Sequence, residues 1–240
     1  MMLNFLIFLP VVTAMVILFL RKTAQVEGLT ALSAILEFAA GLYVAFEAIP
    51  HVAPVSSYFG LDSLAGFFLL ITITVSFLAS LYSIGYLRAE FTKGIIGFRR
   101  IKQYFVLLQL FIATMIMAIT TANPVVMWIA IEATTLATVF LISFYHKPAS
   151  TEAAWKYLII NSIGLLLGFL GTLLYFTSFG GEFGEITTWQ SLIAVAPHLN
   201  PFIAKLAFVF IFDISFDISS FVVSGVRQIS PPRHKTLLSS

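Results

Sequence analysis

The chain has 240 residues, of which 60% are hydrophobic and only 10% charged, with a mean hydropathy of +1.01. A soluble globular domain carries about 25% charged residues, so a water-facing surface is excluded and the chain reads as a membrane protein. Its net charge of +2 is too small to argue for nucleic acid, and the absence of cysteine excludes disulfides, thiolate nucleophiles and iron–sulfur or zinc–thiolate sites held by this chain alone.

A helix crossing the hydrocarbon layer needs roughly 20 mostly apolar residues. The first such run covers 2–20 and is followed by Arg21 and Lys22. A secretory signal places its positive charge before the apolar run, so this is expected to be a first span with its N-terminus outside. Further runs lie at 28–50, 63–87, 103–121, 124–145, 155–179 and 201–224. Continuous apolar runs exclude a β-barrel, whose strands alternate over about ten residues. The expected fold is all-α, a polytopic bundle of six spans plus a seventh. TTANP (120–124) predicts a tight turn, because the residue before proline avoids the helical region. The acidic segment 182–198, with Trp189 at interfacial depth, is expected to lie along the outer surface.

Lysine and arginine alternate between connections. The first holds Arg21 and Lys22; the third holds Arg88, Lys93, Arg99, Arg100 and Lys102; the fifth holds Lys147, with Lys156 entering the sixth span. Arg227, Arg233 and Lys235 lie in the tail, the second, fourth and sixth connections have none, and Lys205 departs from the pattern. Positive residues mark the cytoplasmic side, which predicts an N-terminus outside and a C-terminus inside.

Ionisable groups within spans carry most of the functional information, since each costs about 2.5–3.5 kcal/mol at a helix centre. Glu132 stands eight residues after Pro124 in WIAIEATTLATVF (128–140), about 12 Å along the helix and so near the midplane. Thr134, Thr135 and Thr138 offer hydroxyls for a polar path, with Thr135 on a neighbouring face. Position leaves two readings open: a neutral, hydrogen-bonded acid joining helices, or a group that handles protons or ions. The same choice applies to Glu37 in the second span, whereas Glu47, Lys156 and Lys205 lie near helix ends, where solvation or snorkelling accounts for them. Gly164, Gly168 and Gly171 form a small-residue stripe that suits close helix packing. The four histidines (His51, His146, His198, His234) are isolated, so no metal site is expected, and neither G-x-G-x-x-G nor a P-loop supports a nucleotide site.

LDSLAGFFLLITITVSFLASLYSIGYLRAE (61–90) and MWIAIEATTLATVFLISFYHKPASTEAAWKYLIINSIGLLLGFLGTLLYF (127–176) resemble the large membrane subunits shared by respiratory complex I, Mrp-type cation/proton antiporters and energy-converting hydrogenases. IEATTLA followed by EAAWKYLI looks most like the F-type subunit of hydrogenase 4 and formate hydrogenlyase relatives. The resemblance divides the chain into N-terminal helices (1–54), a partial antiporter-like core (55–211) and a divergent tail (212–240).

It implies an ion path through Glu132, the acid of the W-x-x-x-E-A setting, and a matching lysine, Lys156, beside EAAW; Thr135 and Glu37 are weaker candidates. An opposite charge within about 4–6 Å favours an ionised acid; the lysine partner of Glu132 stays open, with Lys156 the one family-matched candidate left. The resemblance further implies a subunit of the cytoplasmic (inner) membrane with no catalytic centre, metal or cofactor of its own. It would move protons or sodium ions beside other membrane subunits, with nickel–iron and iron–sulfur centres in a peripheral redox arm. An Mrp-type antiporter subunit, a truncated inactive fragment and an assembly scaffold are the alternatives.

After NPFIAKLAFVFI (200–211) the family continues with a glycine-rich broken helix, a lysine within a G-T-K pattern and an H-x-W-L-P-D-A segment. This chain reads FDISFDISSFVVSGVRQISPPRHKTLLSS, with Ile218 or a neighbour where that lysine is expected. Asp213 and Asp217 share a helix face and together cost about 5–7 kcal/mol in one span, which weighs against a seventh crossing. The expected account of the tail is a frame-disrupted or truncated reading of a longer gene.

Overall fold

The structure, a computed structural model, describes residues 2–48, 59–145, 148–178 and 188–214. Its helices are α1 (Met2–Phe19), α2 (Thr23–Ala48), α3 (Ser63–Thr92), α4 (Phe98–Thr120), α5 (Pro124–Ile142), α6 (Pro148–Thr177), α7 (Trp189–Val195) and α8 (Pro201–Val209). A π-turn follows α8 at Phe210–Ile214, and no strand occurs among the described residues. The first six helices are long and apolar enough to cross a membrane.

Helix starts follow from local chemistry. Asn123 and Asn200 each precede a proline, and each side chain accepts from the two amides that follow that proline. Proline at the first helical position sacrifices no hydrogen bond, because that amide has no intrahelical partner. Asp62 accepts from the Ala65 amide to start α3, and Thr188 with Ser191 forms a reciprocal cap on α7. Between α3 and α4 the chain turns at Gly94, whose φ of 69° favours glycine.

The spans run longer than apolar patterning predicts. α2, α4 and α6 begin five to seven residues early, and α3 continues to Thr92. Hydropathy sees only the stretch that must be dry. Backbone hydrogen bonding goes on into the polar zone, where charged side chains keep the extra turns in place. The Glu27 carboxylate of α2 accepts from Arg88 Nε of α3 at 3.0 Å and from Arg88 Nη2. The Lys102 ammonium of α4 donates to the Leu18 and Leu20 carbonyls at 2.7 and 3.0 Å, closing the end of α1.

Neighbouring spans run antiparallel, so the α1–α2, α3–α4 and α5–α6 ends share one side of the bundle. Arg21, Lys22, Arg88, Lys93, Arg99, Arg100, Lys102 and Lys156 gather there, and Lys205 stands near the start of α8 at the other side. α1 to α4 enclose a core of Leu6, Ile17, Leu69, Phe105, Ile112 and Ile116. α5 packs on α4, α6 on α5, and α8 on α6. Outward-facing Phe8, Phe67, Leu78, Phe140 and Leu166 leave apolar surface that suits lipid rather than water.

Gly164, Gly168 and Gly171 are all buried. A Cβ at Gly171 would lie 2.8 Å from the Ala207 carbonyl and 2.9 Å from the Ile211 amide, so α8 and its π-turn meet α6 backbone to backbone. α7 hangs on the side opposite the cations, where the Trp189 amide donates to the Ala122 carbonyl at 3.1 Å and Leu192 packs beside Phe176. The acidic residues before it, and the seventh span beyond 214 with Asp217, lie outside the described residues.

Candidate functional site

Glu132 lies at the α5–α6 seam. Its Oε1 accepts a hydrogen bond of 2.7 Å from the Ser162 hydroxyl of α6, while its Oε2 is buried without a hydrogen-bond partner. One turn along, Thr135 is buried and its hydroxyl accepts from Asn161 Nδ2 at 2.7 Å. Toward the other end of α5, Trp128 Nε1 donates to the Thr172 hydroxyl at 2.9 Å. Three side-chain bonds therefore fix the antiparallel register of α5 against α6 around the acid. On the opposite flank, the Thr134 hydroxyl lies 3.0 Å from that of Thr114, tying α5 to α4. Thr138 donates to the Thr134 carbonyl of its own helix at 2.9 Å, and so adds no link between helices.

Lys156 does not meet Glu132. It pairs with Glu152 one turn earlier on α6, and both side chains are more than half exposed. The reason is geometric. Lys156 precedes Ser162 by six residues, about 9 Å along the axis and roughly a third of a turn around it. The register that brings Ser162 to the acid turns Lys156 toward the cationic side of the bundle.

Glu37 occupies the other half of the bundle. It is 4% exposed and accepts from Ser33 of its own helix, and the Ser33 hydroxyl lies 2.9 Å from that of Thr13 on α1. Gln109, fully buried on the core-facing stripe of α4, has no partner for either amide atom, and the Ser76 and Ser80 hydroxyls of α3 are likewise unpartnered. Glu37 and Glu132 are thus separate sites, with α4 packing against both halves. Glu47 is exposed at the end of α2. Of Asp213 only the backbone is described. No cluster of three or more His, Asp or Glu side chains that could hold a metal occurs among the described residues.

Sequence reasoning missed Asn161 and Ser162 as partners, reading their segment as a glycine packing stripe. The available signal was the adjacent polar pair itself, interrupting an apolar helix at the depth where α5 carries its acid. It also missed Gln109, a neutral polar residue that no tally of ionisable groups detects.

Six apolar helices with a carboxylate held at an interhelical seam define a polytopic membrane protein. Residues 121–216 match the family model described as "NADH:quinone oxidoreductase/Mrp antiporter, TM". It is 30% identical over 186 residues to the hydrogenase-4 component F homolog of Methylacidiphilum infernorum, covering 76% of this chain and 38% of that protein. To NADH-quinone oxidoreductase subunit L of Mycobacterium tuberculosis it is 33% identical over 125 residues, 51% of this chain and 18% of the relative. The fold is shared with a chain of the membrane-bound sulfane sulfur reductase, an archaeal respiratory membrane complex, at a TM-score of 0.70 and 18% identity, covering 87% of this chain and 43% of that one. A chain of Thermus thermophilus respiratory complex I superposes with a TM-score of 0.64 at 18% identity, over 90% of this chain and 43% of that one. The chain spans less than half the length of each of these proteins.

Proposed function

We propose that this chain contributes to a membrane subunit that translocates protons, or sodium ions, coupled to electron transfer in a hydrogenase or NADH:quinone oxidoreductase-like complex. The observation that carries the reading is the asymmetry of Glu132: one oxygen held by Ser162, the other buried and unpartnered. A carboxyl serving only as interhelical glue would satisfy both oxygens, because a buried unpaired polar atom costs about 1–3 kcal/mol. An oxygen left bare inside a membrane bundle is where a proton or small cation binds, and intramembrane acids mark such pathways. Thr135 with Asn161 lines the next turn of the path. Lys156 belongs at its cationic mouth, exchanging between Glu152 and solvent; Glu37 is a separate acid in the α1–α4 half.

The redox centres would sit in partner subunits, nickel–iron and iron–sulfur in a peripheral arm, with other membrane subunits alongside. On this reading the cationic side of the bundle faces the cytoplasm and the N-terminus lies outside. The family model itself spans NADH:quinone oxidoreductases and Mrp antiporters, so an antiporter subunit is the second reading.

Glu132→Gln, placed at the native locus and assayed in inverted membrane vesicles, tests both. Loss of ion uptake with electron transfer partly retained supports the coupled subunit. Loss of sodium/proton exchange in vesicles lacking associated electron transfer supports the antiporter. Unchanged ion stoichiometry overturns the role of Glu132.

A further inference from the structure

A cavity of about 740 Å³ opens on the cationic side of the bundle, between the end of α1, the first half of α4 and the end of α5. Its rim carries Arg99, Arg100 and Lys102, its walls include Leu18, Leu107 and Phe140, and no acidic residue lines it among the described residues. Two of the cations are fixed in place. Lys102 is anchored on the α1 wall through the Leu18 and Leu20 carbonyls, and Arg100 Nη1 donates to the Phe144 carbonyl on the α5 wall at 3.1 Å. Arg99 is exposed at the mouth.

These three cations crowd the first turns of α4, where the helix dipole is already positive, and no acid stands in its first turn. Such a concentration is unfavourable for the isolated helix and suits an anion. The apolar walls then restrict what the anion is attached to. From Arg99 to Leu107 is about 12 Å along α4, from the polar rim into the depth of the spans. An acidic peptide entering that far would bury backbone groups that lipid cannot satisfy, whereas an acyl chain has none. We propose that this groove is a binding site for an anionic phospholipid, its phosphate seated among Arg99, Arg100 and Lys102 and one acyl chain lying along Leu18, Leu107 and Phe140.

The test uses the full chain purified in detergent and exposed to equal amounts of phosphatidylglycerol and phosphatidylcholine, with retained lipid read by native mass spectrometry. Each basic residue at a membrane surface favours an anionic lipid by on the order of fivefold. Wild type should therefore retain phosphatidylglycerol preferentially, and Arg99→Gln, which alters a residue exposed at the mouth, should lower that preference about fivefold. Equal retention of the two lipids, or an Arg99→Gln variant with undiminished preference, overturns the site. A benzophenone amino acid replacing Gln103, at the same cavity, adds a second readout in native membranes. A phospholipid adduct supports the proposal, and crosslinking solely to a neighbouring polypeptide overturns it in favour of a protein interface.

Discussion

Ser162 of α6 donates its hydroxyl to one carboxylate oxygen of Glu132 on α5 at 2.7 Å, and the other oxygen is left buried and unshared. Interhelical hydrogen bonds inside membranes average about 0.6 kcal/mol, so this bond contributes little to holding α5 on α6. Ser162→Ala removes that bond but also leaves a second carboxylate oxygen without a donor, so unfolding free energy should fall by about 1–3 kcal/mol in denaturant titrations of the solubilised protein. Ion movement in vesicles should fall much further than that figure predicts. A large stability loss with unchanged ion movement would make the pair structural.

The Glu27–Arg88 pair is asymmetric: Glu27 is buried, whereas the Arg88 side chain is 62% exposed. Removing the arginine strands a buried carboxylate, whereas removing the acid returns an exposed guanidinium to water. Arg88→Gln should thus destabilise, by less than the loss of one partner from a fully buried pair because the arginine is solvated. Glu27→Gln should cost less, and the double variant should recover most of the loss. A thermal-denaturation double-mutant cycle checks the order.

Gly171 and Gly85 make a matched comparison. A methyl at Gly171 meets the backbone of α8, while one at Gly85 meets nothing within 4 Å. Gly171→Ala should cost about 1–3 kcal/mol and increase proteolysis within 201–214, while Gly85→Ala should be neutral or slightly stabilising. Equal protease resistance in the two variants would contradict the close α6–α8 contact.

Gln109 gives a prediction of sign. Both of its amide atoms are buried and unpartnered, and replacing such a group with an apolar one of similar shape removes the penalty. Gln109→Leu should raise the melting temperature, by roughly 1–2 kcal/mol of stability. A lower melting temperature would reveal a polar partner, such as bound water shared with Ser76 and Ser80.

The spans were legible because a membrane imposes its own length and composition on a helix, and the runs beginning at Met2, Ser63 and Pro124 start where apolar patterning placed them. The position of Glu132 near the middle of α5 was legible for the same reason. Its partner was not. Which residue of α6 faces the acid depends on rotation and register, set here by the Trp128–Thr172 and Thr135–Asn161 bonds, and hydropathy is silent on both. The family resemblance offered Lys156 as a candidate, but a lysine near a helix end reaches a neighbouring glutamate and water far more cheaply than it crosses to a buried seam. The turns that extend α2, α3, α4 and α6 were invisible for a related reason: charge marks the end of the dry region, not of the helix.

Lys102 closes the end of α1 from 84 residues away along the chain, as counted from Leu18. During synthesis, the first hairpin therefore enters the bilayer with its terminal carbonyls still wet, and they acquire their protein donor only once α4 has been made. This clasp joins the end of α1 to α4 across the whole of α2 and α3.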